Sequence, residues 1–350
     1  MSEFARKLVR WQARHGRHDL PWQRTRDPYR IWLSEVMLQQ TQVATVIPYY
    51  RRFLARFSSV KALAKATLDD VLTMWSGLGY YTRARNLHAA ARAVMALHRG
   101  RFPRTRQALE SLPGLGRSTA AAIAVLAFGE REAILDGNVK RVLARYFAVR
   151  GYPGEPRVQK RLWALAEAEL PARNVEAYTQ GLMDLGAGVC TRKRPACANC
   201  PLNKTCKARA RGRPEAFPEP KPRRKRPVRN ASMLLLLHEG EVLLERRPPT
   251  GVWGGLWCFP EIEADSDKLA GSKKLPVLRH ELTHFTLDIT PVVCFLESAS
   301  PRVAEPGQLW LPVEDALGAA VPAPVRKLLS ALDSGRLGGE SLALEKTLQD

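Results

Sequence analysis

Long hydrophobic runs are absent from this sequence of 350 residues. The two longest, Met233 to Leu237 and Ala120 to Phe128, are far shorter than the roughly 18 apolar residues of a membrane-spanning helix. The first residues contain no apolar stretch before a small-residue cleavage site, so no secretion signal is recognisable. We therefore expect a cytoplasmic protein, associated with the nucleoid if bacterial, that has no membrane partner and keeps its thiols reduced.

Acidic residues and cysteines are also scarce. The 6 cysteines are too few for a disulfide-dense fold, and 34 Asp and Glu against 55 Lys and Arg give a net charge of +21. A field of this sign favours a polyanionic partner. Hydrophobic residues make up 45% of the chain, which excludes disorder throughout, and the length corresponds to about two domains.

The chain divides into a helical part and a strand-rich part. Apolar residues recur at three- and four-residue spacing up to Cys206, which predicts an all-α domain over residues 1–207. Residues 208–229 are rich in Pro, Arg and Lys, and we interpret them as a linker that neither buries a core nor continues a helix. Residues 230–336 follow as a smaller α+β domain, and residues 337–350 as a Gly- and Ser-rich tail.

Several elements of the α+β domain can be predicted individually. They are strands over Ser232–Leu237, Glu241–Arg246, Phe285–Ile289 and Val292–Leu296, a turn at Glu239-Gly240, and a terminal helix over Pro324–Leu332.

A cluster of cysteines, with six, two and five residues between its members, precedes the linker. It consists of Cys190, Cys197, Cys200 and Cys206. Thiolates from one short loop suit an iron–sulfur cluster or zinc, and a single C-x-x-C pair favours iron and sulfur over a structural zinc site. Two disulfides are disfavoured without a secretion signal. The Lys and Arg residues of the loop make it a candidate phosphate contact, and we expect the two distant cysteines to be core residues.

A glycine-containing turn separates helices predicted over Thr105–Leu112 and Ser118–Phe128. Gly114 and Gly116 allow the backbone to approach a phosphate, and the free N–H groups of the following helix attract that anion. Gly114, Gly116 and Arg117 are therefore candidate contacts to a phosphate, which the family resemblance described below identifies with the DNA backbone. Taken alone, the same turn could be a packing corner between two helices.

Asp136 lies directly before another predicted helix, which carries Val139, Val142 and Leu143 on one side. It can serve as a helix N-cap or as a turn acid. At a helix N-terminus we expect its carboxylate to stay ionised and to be available to stabilise a nearby cation.

Glu35 lies on a helix that Asp27 and Pro28 open as N-cap and first-turn proline. Its helical neighbours, among them Trp32 and Leu38, are mostly apolar. If this face is buried, desolvation raises the pKa of Glu35 and lets it carry the proton of a general acid near neutral pH. The alternative is an ion pair with a nearby arginine at a solvated edge.

Five segments together resemble the adenine DNA glycosylases of the MutY kind, in the helix-hairpin-helix superfamily that includes endonuclease III. They are SEVMLQQTQV, GLGYYTRARNL, LPGLGRSTAAAI, LDGNVKRV and the C-x6-C-x2-C-x5-C loop. The resemblance is specific from about Leu20 to Cys206 and looser beyond. It implies an all-α helix-hairpin-helix glycosylase domain with a six-helix barrel, a 4Fe-4S cluster on the four cysteines, and a Nudix-like domain similar to the hydrolase MutT.

The resemblance implies a base-excision-repair enzyme that flips and hydrolytically removes adenine mispaired with 8-oxoguanine or guanine in duplex DNA. Its partner would be double-stranded DNA carrying such a mispair, and we expect a monomer. Adenine is a normal base, so discrimination must come from the base left opposite it.

The resemblance also implies roles for residues of the two acidic motifs. Glu35 would protonate adenine at N7, and Asp136 would stabilise the oxocarbenium ion or form a transient covalent adduct, while Asn138 would position the acid and water. These roles agree with the two-carboxylate logic of glycoside hydrolysis. Ser118 stands where strand-cleaving relatives carry a Schiff-base lysine, which predicts a monofunctional glycosylase. Lys140 is near in sequence, but nothing around it suggests a lowered pKa.

Further residues match positions of the family that probe the opposite lesion and intercalate beside it. They are Gln40, Thr41, Leu78 and Tyr80. Wedge residues of this kind offset the few kcal/mol of stacking lost when a base is extruded. The alternative for the glycine-rich segment around Leu78 is a turn with core aromatics.

The second domain resembles the segment leading into a Nudix box, but Ile262 to Pro276 lacks the acidic run that holds magnesium in the hydrolases. We expect this domain to bind rather than hydrolyse. Leu282, Thr283 and His284 match the family's Phe-Ser-His loop that contacts 8-oxoguanine, with Leu282 replacing an aromatic residue. Taken alone, His284 in a strand would more often be structural.

Other functions are weighed against this one. An endonuclease III-like glycosylase and lyase acting on oxidised pyrimidines is disfavoured by Ser118 and by the second domain. A catalytically silent iron–sulfur DNA-binding protein is disfavoured by the presence of both Glu35 and Asp136. A nucleotide hydrolase would rest on the second domain alone.

Overall fold

The computed structural model describes residues 1–222, 226–262, 271–296 and 307–335. These residues form two compact units. The first contains the described residues of Met1–Ala66 and Asn86–Arg223, and the second those of Thr67–Arg85 and Arg224–Asp350. The grouping of Thr67–Arg85 with the C-terminal residues is not anticipated by the sequence, whose domain limits stay predictions. The predicted tail lies outside the described residues.

The regular elements that the structure describes in the first unit are all helical, as predicted. In chain order the α-helices of the described residues, in both units, are α1 Glu3–His15, α2 Pro28–Leu38, α3 Val43–Arg56, α4 Val60–Lys65, α5 Leu68–Trp75, α6 Thr82–His98, α7 Arg106–Glu110, α8 Arg117–Phe128, α9 Gly137–Tyr146, α10 Pro156–Ala168, α11 Val175–Asp184, α12 Lys207–Ala210, α13 Val313–Gly318 and α14 Ala323–Asp333. A π-helical turn, Leu185–Val189, continues α11. None of the helices in the described ranges is long and apolar enough to cross a membrane.

The helix boundaries that position the site follow from local chemistry. Asp27 accepts a hydrogen bond from the Tyr29 N–H (2.9 Å) ahead of the first-turn proline, so α2 begins where predicted. The alanines of α8 are almost completely buried, and their small side chains let α2 pack closely against this helix. Gly129 then ends α8 at a φ of 73°, a left-handed conformation that glycine adopts without strain.

The interpretation of residues 208–229 as a stretch without buried contacts or helix is wrong for two parts of it. Ala208 lies in α12 and is completely buried, and Phe217 is also buried and accepts a hydrogen bond from Arg145 Nε (2.8 Å). Strand β1 then begins at Val228, inside the predicted linker. The density of prolines and charged residues indicated that the helical domain ends here. It did not indicate that Ala208 and Phe217 are buried within the stretch.

The second unit contains one mixed sheet, so the predicted α+β class is confirmed. Its strands are β1 Val228–His238, β2 Glu241–Arg246, β3 Trp257–Cys258, β4 Glu261–Ile262, β5 Lys273–Lys274, β6 Leu278–Glu281, β7 Thr286–Phe295 and β8 Gln308–Pro312. The hairpin β1–β2 turns at Glu239-Gly240, as predicted, and pairs Leu237 with Val242. Strands β1 and β7 run parallel along their whole shared length.

Two strands predicted separately, Phe285–Ile289 and Val292–Leu296, form the single strand β7. Pro291 interrupts the pattern in the sequence without ending the strand, because it pairs with Met233 within the parallel ladder. The predicted terminal helix is confirmed as α14, whose Val325 and Leu329 pack on the apolar face of the sheet.

Helix α5 and the segment after it hold to the sheet by polar contacts within the second unit. Arg246 of β2 forms an ion pair with Asp69, and Arg326 of α14 donates to the Ser76 hydroxyl (2.8 Å). Tyr81 donates its hydroxyl to the Val321 carbonyl (3.3 Å). These contacts explain why Thr67–Arg85 groups with the C-terminal residues.

Candidate active site

Two carboxyl groups line one cavity of the first unit, with a volume of about 610 Å³. Glu35 reaches it from the last turns of α2, and Asp136 from the start of α9. Ser118, in the first turn of α8, and Asn138 line the same cavity. The fold therefore brings together the four residues that the sequence analysis assigned to catalysis, although they come from three separate helices.

Glu35 lies partly buried among apolar neighbours, as predicted. Burial, together with the smaller effect of the negative charge of Asp136, raises its pKa to about 7. Among the residues that the structure describes, no basic side chain forms an ion pair with Glu35. The alternative of a surface pair with an arginine is therefore not what this structure shows, and the carboxyl group can carry a proton near neutral pH.

Asp136 is the N-cap of α9, because its Oδ1 accepts a hydrogen bond from the Val139 N–H (2.7 Å). The Asn138 side-chain amide lies 3.4 Å from its other carboxylate oxygen. Burial nevertheless raises the pKa of Asp136, against the opposing influence of these hydrogen bonds and of Arg141. The helix terminus therefore opposes desolvation without cancelling it, and the expectation that this carboxylate stays ionised stays a prediction.

The surroundings of the two carboxyl groups favour protonation of Glu35 over protonation of Asp136. Asp136 accepts hydrogen bonds from Val139 and Asn138, and these bonds favour its charged form. We therefore place the single proton of the pair on Glu35 near neutral pH, with Asp136 charged.

Ser118 has a structural contact as well as a place in the cavity wall. Its hydroxyl oxygen accepts a hydrogen bond from the Leu135 N–H (2.9 Å), which ties the start of α8 to the segment that precedes Asp136. Beside it, the Gln39 amide donates to the Thr119 hydroxyl (3.3 Å). The serine side chain thus fixes the distance between two elements of the cavity.

In the hairpin between α7 and α8, Gly114 has the positive φ expected of the turn glycines, but Gly116 has a φ of −86°. Gly114 adopts a φ of 78°, and a Cβ atom there would lie 2.6 Å from the Asn86 Cβ. Gly116 is the N-cap of α8 and is exposed, so the first N–H groups of that helix face outward. The Arg117 guanidinium stacks 3.8 Å from the Trp163 ring centroid and forms an ion pair with Glu167.

Arg141 connects the catalytic motif to the cysteine loop. Its Nη2 donates to Asn138 Oδ1 (2.7 Å) and to the Gly186 carbonyl (2.6 Å), and its Nε donates to the Cys190 carbonyl (2.6 Å). The neighbouring Arg145 is 2% exposed and donates to Cys190 Sγ (3.3 Å). Two arginines one helical turn apart therefore join α9 to the same loop.

The four clustered cysteines are all partly buried and not disulfide-bonded. Cys200 lies near enough to the other three for their charges to raise its pKa, which burial brings to about 12. Within the described ranges, no three His, Cys, Asp or Glu side chains are arranged to hold a single metal ion. Four neighbouring thiols beside the buried Arg145 and the half-buried Arg141 fit a larger, net-negative cluster, because thiolate ligands need compensating positive charge in a low-dielectric site.

Arg17 and Asp184 were not identified from the sequence. Arg17 lines the cavity. Its main-chain N–H (3.0 Å) and its Nε (2.7 Å) both donate to the carboxylate of Asp184, which is 4% exposed. A guanidinium held in this way presents a fixed donor group to the cavity. The two residues are 167 positions apart in the sequence, so no spacing rule links them.

The predicted lesion-recognition residues fall in both units. Thr41 lines the cavity of the first unit, and the exposed Gln40 precedes it at a φ of 59°. In the second unit, Tyr80, Thr283 and His284 line another cavity of about 710 Å³. Leu78 is buried and does not line that cavity.

Thr283 and His284 are exposed at the turn between β6 and β7. The Leu282 N–H donates to the Phe285 carbonyl (2.9 Å) and closes this turn. His284 therefore lies in a turn rather than in a strand, which weakens the purely structural interpretation of it. Leu282 is partly buried and packs against the core of the sheet.

Comparison with known proteins connects this geometry to a family. Residues 33–168 match the HhH-GPD superfamily of base excision DNA repair proteins, and residues 231–331 match the NUDIX domain. The adenine DNA glycosylase of Buchnera aphidicola subsp. Acyrthosiphon pisum is 35% identical over 93% of this chain and 96% of that protein. The human adenine DNA glycosylase is 33% identical over 94% of this chain and 73% of that protein.

The solved structures agree on the fold of the helical part. A thermostable thymine-DNA glycosylase matches with a TM-score of 0.55 at 33% identity, covering 59% of this chain and 95% of that chain. A non-covalent endonuclease III–DNA complex matches with a TM-score of 0.51 at 20% identity, over 59% of this chain and 94% of the other. The second of these likenesses concerns the fold alone.

Proposed function

This chain belongs to the adenine DNA glycosylases and is a DNA N-glycosylase, and on that premise we propose that it removes adenine mispaired with 8-oxoguanine or guanine in duplex DNA. The observation that carries the proposal is the shared cavity of Glu35 and Asp136. One of these carboxyl groups has its pKa raised to about 7, and the other accepts hydrogen bonds that favour its charge.

The chemistry follows from the unequal protonation of the pair. Protonated Glu35 delivers its proton to N7 of the extruded adenine, which makes the base a better leaving group. As the N-glycosidic bond breaks, the sugar develops positive charge, and the Asp136 carboxylate stabilises it electrostatically or through a transient covalent bond. Asn138, beside Asp136 and fixed by Arg141, positions the carboxylate and the attacking water.

The proposed reaction stops at base removal. A lyase needs an amine nucleophile to form a Schiff base with the sugar, and Ser118 provides a hydroxyl that already accepts a hydrogen bond from Leu135. The product would be an intact strand with an abasic site.

Discrimination between adenine partners would depend on residues of both units. In the first unit, Gln40 and Thr41 follow directly on the helix that carries Glu35, while Gly114, Gly116 and Arg117 would hold the DNA backbone. In the second unit, Thr283 and His284 offer hydrogen-bonding side chains at an exposed turn, and Leu78 and Tyr80 are the proposed wedge. A Nudix-like domain used in this way binds the lesion and does not hydrolyse nucleotides.

We further propose that Cys190, Cys197, Cys200 and Cys206 hold a 4Fe-4S cluster. Four thiols on one loop beside Arg145 support it, as does the endonuclease III-like fold. When bound, the cluster would fix the loop and the start of α12. Arg141 would then have a rigid carbonyl to bind at Cys190.

The substrate proposal is tested with duplexes that differ only in the base opposite adenine. Single-turnover excision is compared for 8-oxoguanine, guanine, thymine and cytosine partners, with a thymine·guanine duplex as a further control. We expect rapid excision opposite 8-oxoguanine and guanine and at least about 100-fold slower excision of adenine from A·T. Equal rates for all partners, or removal of thymine instead, would refute the proposed substrate. Thr283→Ala should lower the preference for 8-oxoguanine, whereas Thr290→Ala on β7 should not.

A further inference from the structure

Arg83, in the first turn of α6, is a buried cation that the proposed chemistry does not use. It is 7% exposed. Burial lowers its pKa to about 10, so it remains charged at neutral pH. A charge that has been removed from water must be compensated by the groups around it, and those groups are thereby fixed.

Arg83 binds the end of α5 and the loop that follows it. Its Nη2 donates to the carbonyl of Leu78 (3.3 Å) and to that of Gly79 (3.1 Å). Its guanidinium lies 5.3 Å from the ring centroid of Trp75 and 5.5 Å from that of Tyr80. One side chain therefore binds two consecutive backbone carbonyls and lies near the rings of Trp75 and Tyr80.

The backbone of this loop adopts conformations that must be stabilised by other residues. Gly77, Gly79 and Tyr80 all have positive φ values, of 96°, 70° and 50°. For Tyr80 this left-handed conformation is unfavourable and persists only where surrounding contacts impose it. Trp75 Nε1 donates to the same Gly79 carbonyl (3.2 Å), so that carbonyl accepts from both sides.

We propose that Arg83 is the positioning residue of the wedge loop, holding Leu78 and Tyr80 in the conformation that fills the space left by an extruded base. The inference rests on the proposed function of those two residues. In this proposal Arg83 acts through the loop and not on the reacting atoms. Its loss should therefore slow the extrusion of adenine and leave bond breaking unchanged once the base is extruded.

The test compares two duplexes that share the adenine·8-oxoguanine pair. In one the flanking pairs are matched, and in the other they are mismatched, so that extrusion costs less. We expect Arg83→Met to lower the single-turnover rate about tenfold on the matched duplex but no more than about threefold on the mismatched one. Arg83→Lys, which keeps the charge and can still donate to one carbonyl, should fall between Arg83→Met and the wild type.

Arg92→Met is the matched control, because it removes the same charge from an exposed position of the same helix. It should leave both rates unchanged. Equal slowing of Arg83→Met on both duplexes, or no slowing on the matched one, would overturn the inference. If Arg83→Met does not fold, as judged by thermal unfolding, the same comparison with Arg83→Lys decides. Failure of the wild-type protein to act on the matched duplex would instead refute the proposed substrate.

Discussion

The carboxyl groups of Glu35 and Asp136 line one cavity, and the charge of Asp136 adds to the effect of burial in raising the pKa of Glu35 to about 7. The pair thus combines a group that can hold a proton at neutral pH with one whose hydrogen bonds favour its charge. Breaking an N-glycosidic bond requires both states at once.

The pH dependence of excision follows from this pair. Because Glu35 must be protonated, the single-turnover rate should fall as pH rises through about 7, approaching tenfold per pH unit above it. Asp136 must be charged, and its raised pKa places the acid limb of the profile above the ordinary aspartate value of 3.8. A rate that stays constant from pH 6 to pH 9 would contradict the role of Glu35.

The same pKa shift predicts an effect on stability. Between pH 4.5 and about 7 the folded protein keeps a proton on Glu35 that the unfolded chain has lost, so rising pH destabilises the fold across this window. Glu35→Gln removes that penalty. It should abolish excision while raising the free energy of unfolding at pH 8 by on the order of 1–3 kcal/mol, and by much less at pH 5. Denaturant unfolding at the two pH values measures the difference.

Asp136→Asn separates catalysis from helix capping. Asparagine caps a helix about as well as aspartate, so the bond to the Val139 N–H can persist and the unfolding midpoint should not fall. The negative charge is lost, and excision should fall by at least about 100-fold. Asp136→Ala should show the same loss of excision together with about 1 kcal/mol of lost stability. An asparagine variant with full activity would contradict the assignment.

Arg141→Met tests the connection between the cysteine loop and the catalytic motif. It removes donors to Asn138, Gly186 and Cys190, and it leaves partly buried acceptors without that partner. We expect about tenfold slower excision and a loss of roughly 1–3 kcal/mol of stability. The exposed Arg150→Met removes the same charge and should change neither quantity.

Iron and sulfide analysis tests the proposed cluster. The purified wild-type protein should contain about four iron atoms and about four acid-labile sulfides, as a 4Fe-4S cluster requires. Cys197→Ser should lose both, whereas Cys258→Ser should retain both, since Cys258 is buried in β3 of the other unit. Stoichiometric zinc without sulfide in the wild-type protein would contradict the proposal.

The sequence predicts those site residues that lie in short motifs, and it does not predict contacts between residues that are distant in the chain. Glu35 and Asp136 could be identified because each lies in a short motif with its own helix cap and apolar neighbours. The clamp of Arg17 by Asp184 could not, because it joins residues that are distant in the chain and each unremarkable alone. The raised pKa of Asp136 was missed for a related reason, since local sequence shows the helix cap but not the depth of the cavity.

In the fold, too, local features were predicted from the sequence and features that depend on distant residues were not. Helix starts at Pro28 and the turn at Glu239-Gly240 were predicted correctly from capping and turn chemistry. The continuity of β7 through Pro291 depends on the parallel partner β1, which no local pattern contains. Buried Phe217 in a proline-rich stretch depends in the same way on Arg145, a residue 72 positions away.

The most direct test of the account uses a labelled duplex with adenine opposite 8-oxoguanine, incubated with the wild-type protein, Glu35→Gln and Asp136→Asn, and analysed for strand breaks with and without hot alkali. We expect the wild-type protein alone to release adenine, with strand breaks that appear only after alkali. Breaks without alkali would show a lyase and contradict the role given to Ser118. Adenine release by either variant at the wild-type rate would contradict the two-carboxylate mechanism.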